Sequence, residues 1–395
     1  MNFYLEHYLK HSLRREISEL YISVAIKNFA FSMITIFEPV FIYKQFNSVS
    51  IVFLYYAVIY TIYIFAIPLG SKAAAKFGFE HCIFYSIPFA IFYFLALSQI
   101  PNNSWMVLGA IISVIMYKIL FWPAYHTDFA HYSKSGYRGR ELGTLSFVST
   151  ISTIIGPIIG GIILSKFGFE VLFVIVSIVS LISAIPLFST REKFLPHNFS
   201  YRRAFRRLIT PYDHYKRKNS IAYFGYGEEI IVAIGWPIFI YLIIEKFYLM
   251  GLLIGVVTIA MSVVSLYVGK LSDTLNMEGK KHLMNFSAVL RCILSFFRSF
   301  SGNWLGILLI DIFSTGSKIG IDYPLVTSVY NKGDGHKGFL KYVTFFEMSL
   351  SIGKAAAAWI VFVFSLVLSG FSFWFFIFGL SGVWSLLYMF KFKKS

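Results

Sequence analysis

Twelve runs of about twenty apolar residues divide this 395-residue chain, and a helix of that length crosses the roughly 30 Å hydrocarbon layer of a bilayer. They lie at 20–43, 48–69, 79–98, 105–126, 141–165 and 170–189, then, past a basic interval, at 219–244, 249–268, 283–302, 304–328, 340–368 and 371–390. Lipid offers backbone N–H and C=O groups no partner, so each run must satisfy its own as a helix. The fold class expected is an all-α membrane protein with 12 transmembrane helices arranged six plus six. Only 14% of the residues are charged, where soluble domains carry about a quarter.

An even number of spans puts both termini on one side, and the basic residues choose the side. The N-terminal segment, alternate loops, the central linker and the C-terminal tail hold twenty-six Lys and Arg, against Lys44, Lys166 and Lys246 in the opposite loops. By the positive-inside rule the basic side is cytoplasmic. The net charge of +16 follows from that topology and gives no reason to expect a nucleic acid. The expected divisions are a cytoplasmic N-terminal helix (1–19), a six-helix bundle (20–190), a basic cytoplasmic linker (191–218), a second six-helix bundle (219–390) and a cytoplasmic tail (391–395). The setting is the cell membrane, plasma or inner, crossed many times, with both termini cytoplasmic. Within the linker, Phe205, Leu208 and Ile209 stand among arginines. That pattern suits a short amphipathic helix on anionic headgroups or, equally, a solvated basic segment.

The two bundles align with each other at an offset of about 200 residues. EPVFIY (Glu38–Tyr43) matches WPIFIY (Trp236–Tyr241), and YKILFWP (Tyr117–Pro123) matches SKIGIDYP (Ser317–Pro324). Gly70 matches Gly269, and Ile155-Gly156 matches Ile352-Gly353. Duplicated halves about an axis along the membrane normal, with a ligand site between them near mid-depth, are one architecture of secondary transporters.

On these features the chain resembles the major facilitator superfamily over nearly its whole length. In that family the loop after the second span reads Gly-x-x-x-Asp-Arg-x-Gly-Arg. Here the second half has Gly269-Lys-Leu-Ser-Asp273 followed by Lys280 and Lys281. The first half has Gly70-Ser-Lys-Ala-Ala-Ala-Lys-Phe-Gly78, with Ala74 in place of the acid. The resemblance makes these loops, together with Asp128 and Arg138 around the next loop on that side, cytoplasmic gates. The fifth span carries Gly143 and Gly156-Pro157-Ile-Ile-Gly160-Gly161, similar to the Gly-Pro-x-x-Gly-Gly motif of antiporting members. Such glycines permit close helix contact, and Pro157 frees a carbonyl for a bend. Lys118 falls where the fourth span of many drug–proton antiporters has an arginine.

A charge within the hydrocarbon zone costs a few kcal/mol or more, so each one needs a wet cavity or a partner. The first, fourth, seventh and tenth spans carry Lys27 and Glu38, Lys118, Glu228 and Glu229, and Asp311, Lys318 and Asp322; the eleventh carries Glu347 and Lys354. The resemblance implies that the first, fourth, seventh and tenth helices line a central cavity, and the charges select the same four. Asp311, Lys318 and Asp322, at spacings of seven and four, share one helix face. The eight on the first, fourth, seventh and tenth spans are the expected solute and proton pathway, with Lys118, Lys318 and Glu228 bordering one cavity. Glu38 and either Glu228 or Glu229 are the expected proton sites, since a carboxyl group in a poorly hydrated cavity can exchange a proton near neutral pH. The alternative is a set of structural ion pairs joining the halves. Arg291 has no assigned place, because the ninth span is expected to face lipid, and Arg298 is expected to snorkel.

No Gly-x-x-x-x-Gly-Lys-Ser/Thr loop is present to use ATP, and neither the nine histidines nor Cys82 and Cys292 have metal-ligand or catalytic spacing. The chain reads as a secondary transporter, with no cofactor or metal and no enzymatic role, that moves a small organic solute by alternating access with proton coupling. Export of an amphiphilic compound is favoured over uptake of a sugar, peptide or nucleoside. A non-transporting scaffold or sensor, its cavity packed shut by Phe and Tyr, is the reading from another class. Expected partners are the solute, protons and the lipid bilayer, with the chain acting as a monomer.

Overall fold

The computed structural model describes residues 15–132, 138–188, 198–210, 214–330 and 338–391. Most of the expected N-terminal helix (1–19), part of the linker (191–218) and all of the tail (391–395) but Lys391 lie outside the described residues. Every regular element among those described is helical. In order these are α1 (Arg15–Ser32), α2 (Glu38–Phe46), α3 (Val49–Phe77), α4 (Phe79–Gln99), α5 (Met106–Tyr132), α6 (Arg138–Ile182) and the linker helix α7 (Tyr201–Ile209). The second half follows with α8 (His214–Phe224), α9 (Gly227–Ile244), α10 (Phe247–Thr274), α11 (Met277–Arg298), α12 (Trp304–Tyr330), α13 (Phe339–Ser365) and α14 (Gly370–Ser385).

Nine helical stretches among the described residues are long and apolar enough to cross a membrane. The remaining expected spans differ for local reasons. The first is interrupted at 33–37, where Ile34 and Phe37 bond back three residues instead of four and Pro39, just beyond, has no N–H to offer. The ninth, α11, opens on Glu278, Lys280 and Lys281 and carries Arg291 and Arg298, which lowers its hydropathy. The fifth and sixth run together as α6, in which Gly168 takes φ +81°. Ser32 donates to the Ser152 carbonyl at 2.9 Å and Ser23 to the Ser183 carbonyl at 2.7 Å. A straight helix would hold residues 152 and 183 about 46 Å apart. The chain therefore doubles back at Gly168, in a conformation glycine adopts without strain.

The duplication shows in how glycines seat the helices. A Cβ on Gly156 would overlap the Ser32 side chain, one on Gly160 the Met33 carbonyl, and one on Gly353 the Phe224 carbonyl. The aligned positions Gly156 and Gly353 thus bring α6 onto α1 and α13 onto α8 by the same removal of a side chain. Gly161 does this between the halves, where α6 meets Phe247 at the start of α10.

The halves meet along two seams, α6 against α10 and α3 against α13. Between α3 and α13 run hydrogen bonds from Thr344 to Ser71 (2.8 Å), Trp359 to Thr61 (2.9 Å) and Ser50 to the Ser365 carbonyl (3.3 Å). On the side where the linker helix lies, Phe129 packs on Tyr330 at 5.0 Å between ring centres. On the far side Phe37 packs edge-on against Phe247 at 6.0 Å. Between these two aromatic closures the halves leave space.

Candidate functional site

That space is a cavity of about 450 Å³. Its first-half wall is rich in tyrosine: Tyr56, Tyr60 and Tyr63 from α3, Tyr93 from α4 and Tyr117 from α5. Positions 56, 60 and 63 are spaced four and three apart, so one face of α3 presents all three hydroxyls. The second half adds Tyr226, Tyr330, Val326, Val329, Phe346 and Leu350. It is therefore a chamber of aromatic faces and hydroxyls with a few charges set in it, the make-up of a small-molecule site.

The charges lining it are Glu38, Lys118, Glu229, Glu347 and Lys354, with His126. Glu38 follows the interruption of the first span and accepts a 2.6 Å hydrogen bond from the Tyr56 hydroxyl. Lys354 pairs with Glu229 at 3.4 Å. Glu347 is held on one oxygen by His126 Nε2 at 3.3 Å and on the other by the Tyr63 hydroxyl at 3.2 Å. The second nitrogen of His126 lies 2.7 Å from the Tyr330 hydroxyl, so one imidazole of the first half engages two groups of the second. Lys118 differs from all of these. Its Nζ donates to the Tyr60 hydroxyl at 3.0 Å and lies 4.4 Å from that ring's centre, and among the described residues no carboxylate comes within 4 Å of it.

Four of the other expected pathway residues, Glu228, Asp311, Lys318 and Asp322, occupy a second cluster inside the second half, outside the cavity wall. Glu228 is fully buried and clamped by Arg291, whose Nε and Nη2 both lie 2.7 Å from one carboxylate oxygen, and by Lys318 at 2.9 Å from the other. Lys318 also approaches Asp322 at 3.3 Å and donates to the Tyr388 hydroxyl at 2.8 Å. Deeper in, Arg298 reaches Asp311 at 3.2 Å and the Ser314 hydroxyl at 2.9 Å, with its guanidinium 4.7 Å from the Trp236 ring centre. The expectation that Lys118, Lys318 and Glu228 border one cavity is corrected here, since of the three the wall contains Lys118 alone. Lys27 lies behind the wall, buried, with its Nζ 3.3 Å from the Phe121 ring centre.

Arg291 and Arg298 also depart from the sequence reading. They are 4% and 1% exposed, where lipid-facing or snorkelling positions were expected. Helix α11 has two faces: Phe286, Ile293 and Phe297 point outward, while Ser287, Arg291, Ser295 and Arg298 turn in toward α12 and α14. Assigning the whole helix to lipid overlooked this polar stripe at three- and four-residue spacing. His126 and the α3 tyrosines were also missed. His126 has no metal-ligand or catalytic spacing in the sequence, and helix α3 has no charge near its middle; the regular Tyr56, Tyr60, Tyr63 spacing is the signal available.

Of the gate positions, Gly70 lets α3 approach the Ile119 carbonyl of α5, and Gly78 turns α3 into α4 with φ +105°. Asp128 is buried near the linker-side end of α5. For Arg138, Gly143, Gly269 and Asp273 the structure describes the helical backbone alone. Pro157 stands where α6 meets Gly251 of α10. Among the described residues no cluster of His, Cys, Asp or Glu has the make-up of a metal site.

Known proteins place this arrangement. The profile of the Major Facilitator Superfamily matches residues 20–358. No curated protein sequence matches significantly. Among solved structures, the human organic anion transporter MFSD10 superposes with a TM-score of 0.72 at 12% identity, over 96% of this chain and 99% of that one. The fucose:proton symporter FucP of E. coli superposes with a TM-score of 0.64 at 13% identity, over 96% and 98%. At such identities the likeness speaks for the fold.

Proposed function

The chain belongs to the Major Facilitator Superfamily, and from that premise we propose that this multi-pass membrane protein is a proton-coupled transporter of a small organic anion with an apolar, aromatic-compatible body. One observation carries the reading: Lys118 faces a tyrosine-walled cavity with a hydroxyl for company and, among the described residues, no carboxylate within 4 Å. A carboxylate or sulfonate on the solute supplies the missing counter-ion, and the ring faces of Tyr60 and Tyr117 take the rest. The name of the similar human protein, an organic anion transporter, agrees with this choice. The basic asymmetry of the loops makes the linker side cytoplasmic.

The same geometry bears on direction. Lys118 and Glu38 face the same cavity. An anion docked on Lys118 takes up that cation's charge and sets a like charge near Glu38, which favours a proton on the carboxylate. Solute and proton then bind together, the linkage of a symporter, and an inward proton gradient drives uptake. Export by exchange, which the Gly156-Pro157-Ile-Ile-Gly160-Gly161 motif favours, has the opposite sign and is the second reading. Movement of either kind needs the halves to part on one side at a time, at Ser71–Thr344 and the His126 contacts on the linker side or at Phe37–Phe247 on the other.

Proteoliposomes with an imposed pH gradient test this against a panel of aromatic and aliphatic carboxylates and their neutral amides. The acids are expected to accumulate when the outside is acidic, the amides are not, and Glu38→Gln is expected to leave solute exchange intact while abolishing the gradient's effect. Accumulation driven only by the opposite gradient would establish export instead. No movement of any compound would leave the scaffold reading in possession.

A further inference from the structure

The linker helix α7 has two faces. Tyr201, Phe205 and Leu208 recur at spacings of four and three, and Arg202, Arg203, Arg206 and Arg207 fill the positions between. The apolar face is seated on the bundle. The Tyr201 hydroxyl donates to the Phe65 carbonyl of α3 at 3.1 Å, the Phe205 ring stacks on Phe65 at 5.9 Å, and Leu208 joins the apolar cluster that includes Tyr342 and Met389. Phe65 and its neighbour Leu69, one turn on, are 58% and 53% exposed on the lateral surface of α3, which in a membrane faces acyl chains. Helix α7 is thus fastened at the rim of the bundle, where headgroups lie, and touches α3 of the first half and α13 of the second.

Against its other face is a pocket of about 420 Å³ lined by Asn198, Ser200, Arg203, Arg207 and, from the start of α13, Lys341. Three cations converge on it and, among the described residues, no acid lines it. Among the described residues none of the three forms an ion pair. Two guanidinium forks and an ammonium around a cavity of this size form a site for a phosphate group, whose oxygens accept from all three. We propose that this pocket binds the headgroup phosphate of an anionic phospholipid, tying the linker to α13. The chemistry is that of any phosphate, and the lateral seating of α7 beside exposed Phe65 selects the lipid as its source. Because Lys341 is three residues before Thr344, whose hydroxyl bonds Ser71 across the seam, the bound headgroup braces the linker-side closure of the halves.

The test uses the full chain, purified and delipidated in neutral detergent, then titrated with short-chain phosphatidylglycerol, short-chain phosphatidylcholine and inorganic phosphate, with bound lipid counted by native mass spectrometry. Phosphatidylglycerol should bind at least tenfold more tightly than phosphatidylcholine. Each charge removed should weaken it about fivefold, so Lys341→Gln loses about fivefold and Arg203→Gln/Arg207→Gln about twenty-five-fold. Arg202→Gln, on the same helix outside the pocket, is the control and should stay within twofold of the parent. Since these side chains are at the surface, size-exclusion profiles should match the parent; if the double variant fails to fold, Lys341→Gln alone decides. Equal affinity for the two lipids, equal losses from Arg202→Gln and Arg203→Gln/Arg207→Gln, or displacement of the lipid by inorganic phosphate at the same concentration would overturn the proposal.

Discussion

Arg291→Met should lower stability by about 3 kcal/mol, seen as a drop of several degrees in the midpoint of thermal unfolding in detergent. Arg291 gives Glu228 two of its contacts and also donates to the Ser314 carbonyl at 2.8 Å. Without it, one oxygen of a fully buried carboxylate has no partner while the other keeps Lys318 and Tyr388. That remaining cation sets the expected cost at the lower end of the range for breaking a buried pair. The paired change Arg291→Met/Glu228→Gln removes both charges and should recover most of the loss, because the penalty lies in the unpaired charge. If Arg291→Met is as stable as the parent, α11 faces lipid there, as its sequence alone suggested.

Lys118→Gln should weaken binding of an anionic solute by about 30- to 1,000-fold, the effect of removing one partner from a desolvated charge pair. The neutral amide of the same solute should bind the variant and the parent alike. This difference separates recognition from structure. Among the described residues Lys118 holds no ion pair, so its removal leaves no clamped carboxylate exposed, in contrast with Arg291. Equilibrium binding to the purified protein, or the KM for uptake, reads it directly. An affinity within threefold of the parent would detach solute recognition from Lys118.

The fold was readable in the sequence because the bilayer enforces it: spans of twenty apolar residues have one way to satisfy their backbones. Internal duplication was readable for a similar reason, since Gly156 and Gly353 are both places where a backbone comes too close for a side chain. The site was half readable. Intramembrane charge picks out Glu38, Lys118 and Glu229, but it says nothing about which charges face the cavity and which neutralise one another behind it. Glu228, Lys318 and Asp311 look like pathway residues in sequence and lie in the clamp of Arg291 and Arg298, because those arginines come from a helix whose inward face shows only once α12 and α14 pack on it. Nothing charged marks the Tyr56, Tyr60 and Tyr63 stripe, yet it makes up much of one wall.

On the proposed mechanism, solute passage through the cavity requires α3 and α13 to separate on the linker side, where the Ser71 and Thr344 hydroxyls are 2.8 Å apart. The decisive measurement is transport in proteoliposomes by a variant with Ser71→Cys and Thr344→Cys on a background in which Cys82 and Cys292 are replaced by alanine. Oxidation to the cross-linked form is predicted to stop transport, and reduction to restore it. Transport at the parent rate by fully cross-linked protein would contradict movement of the halves about a shared cavity.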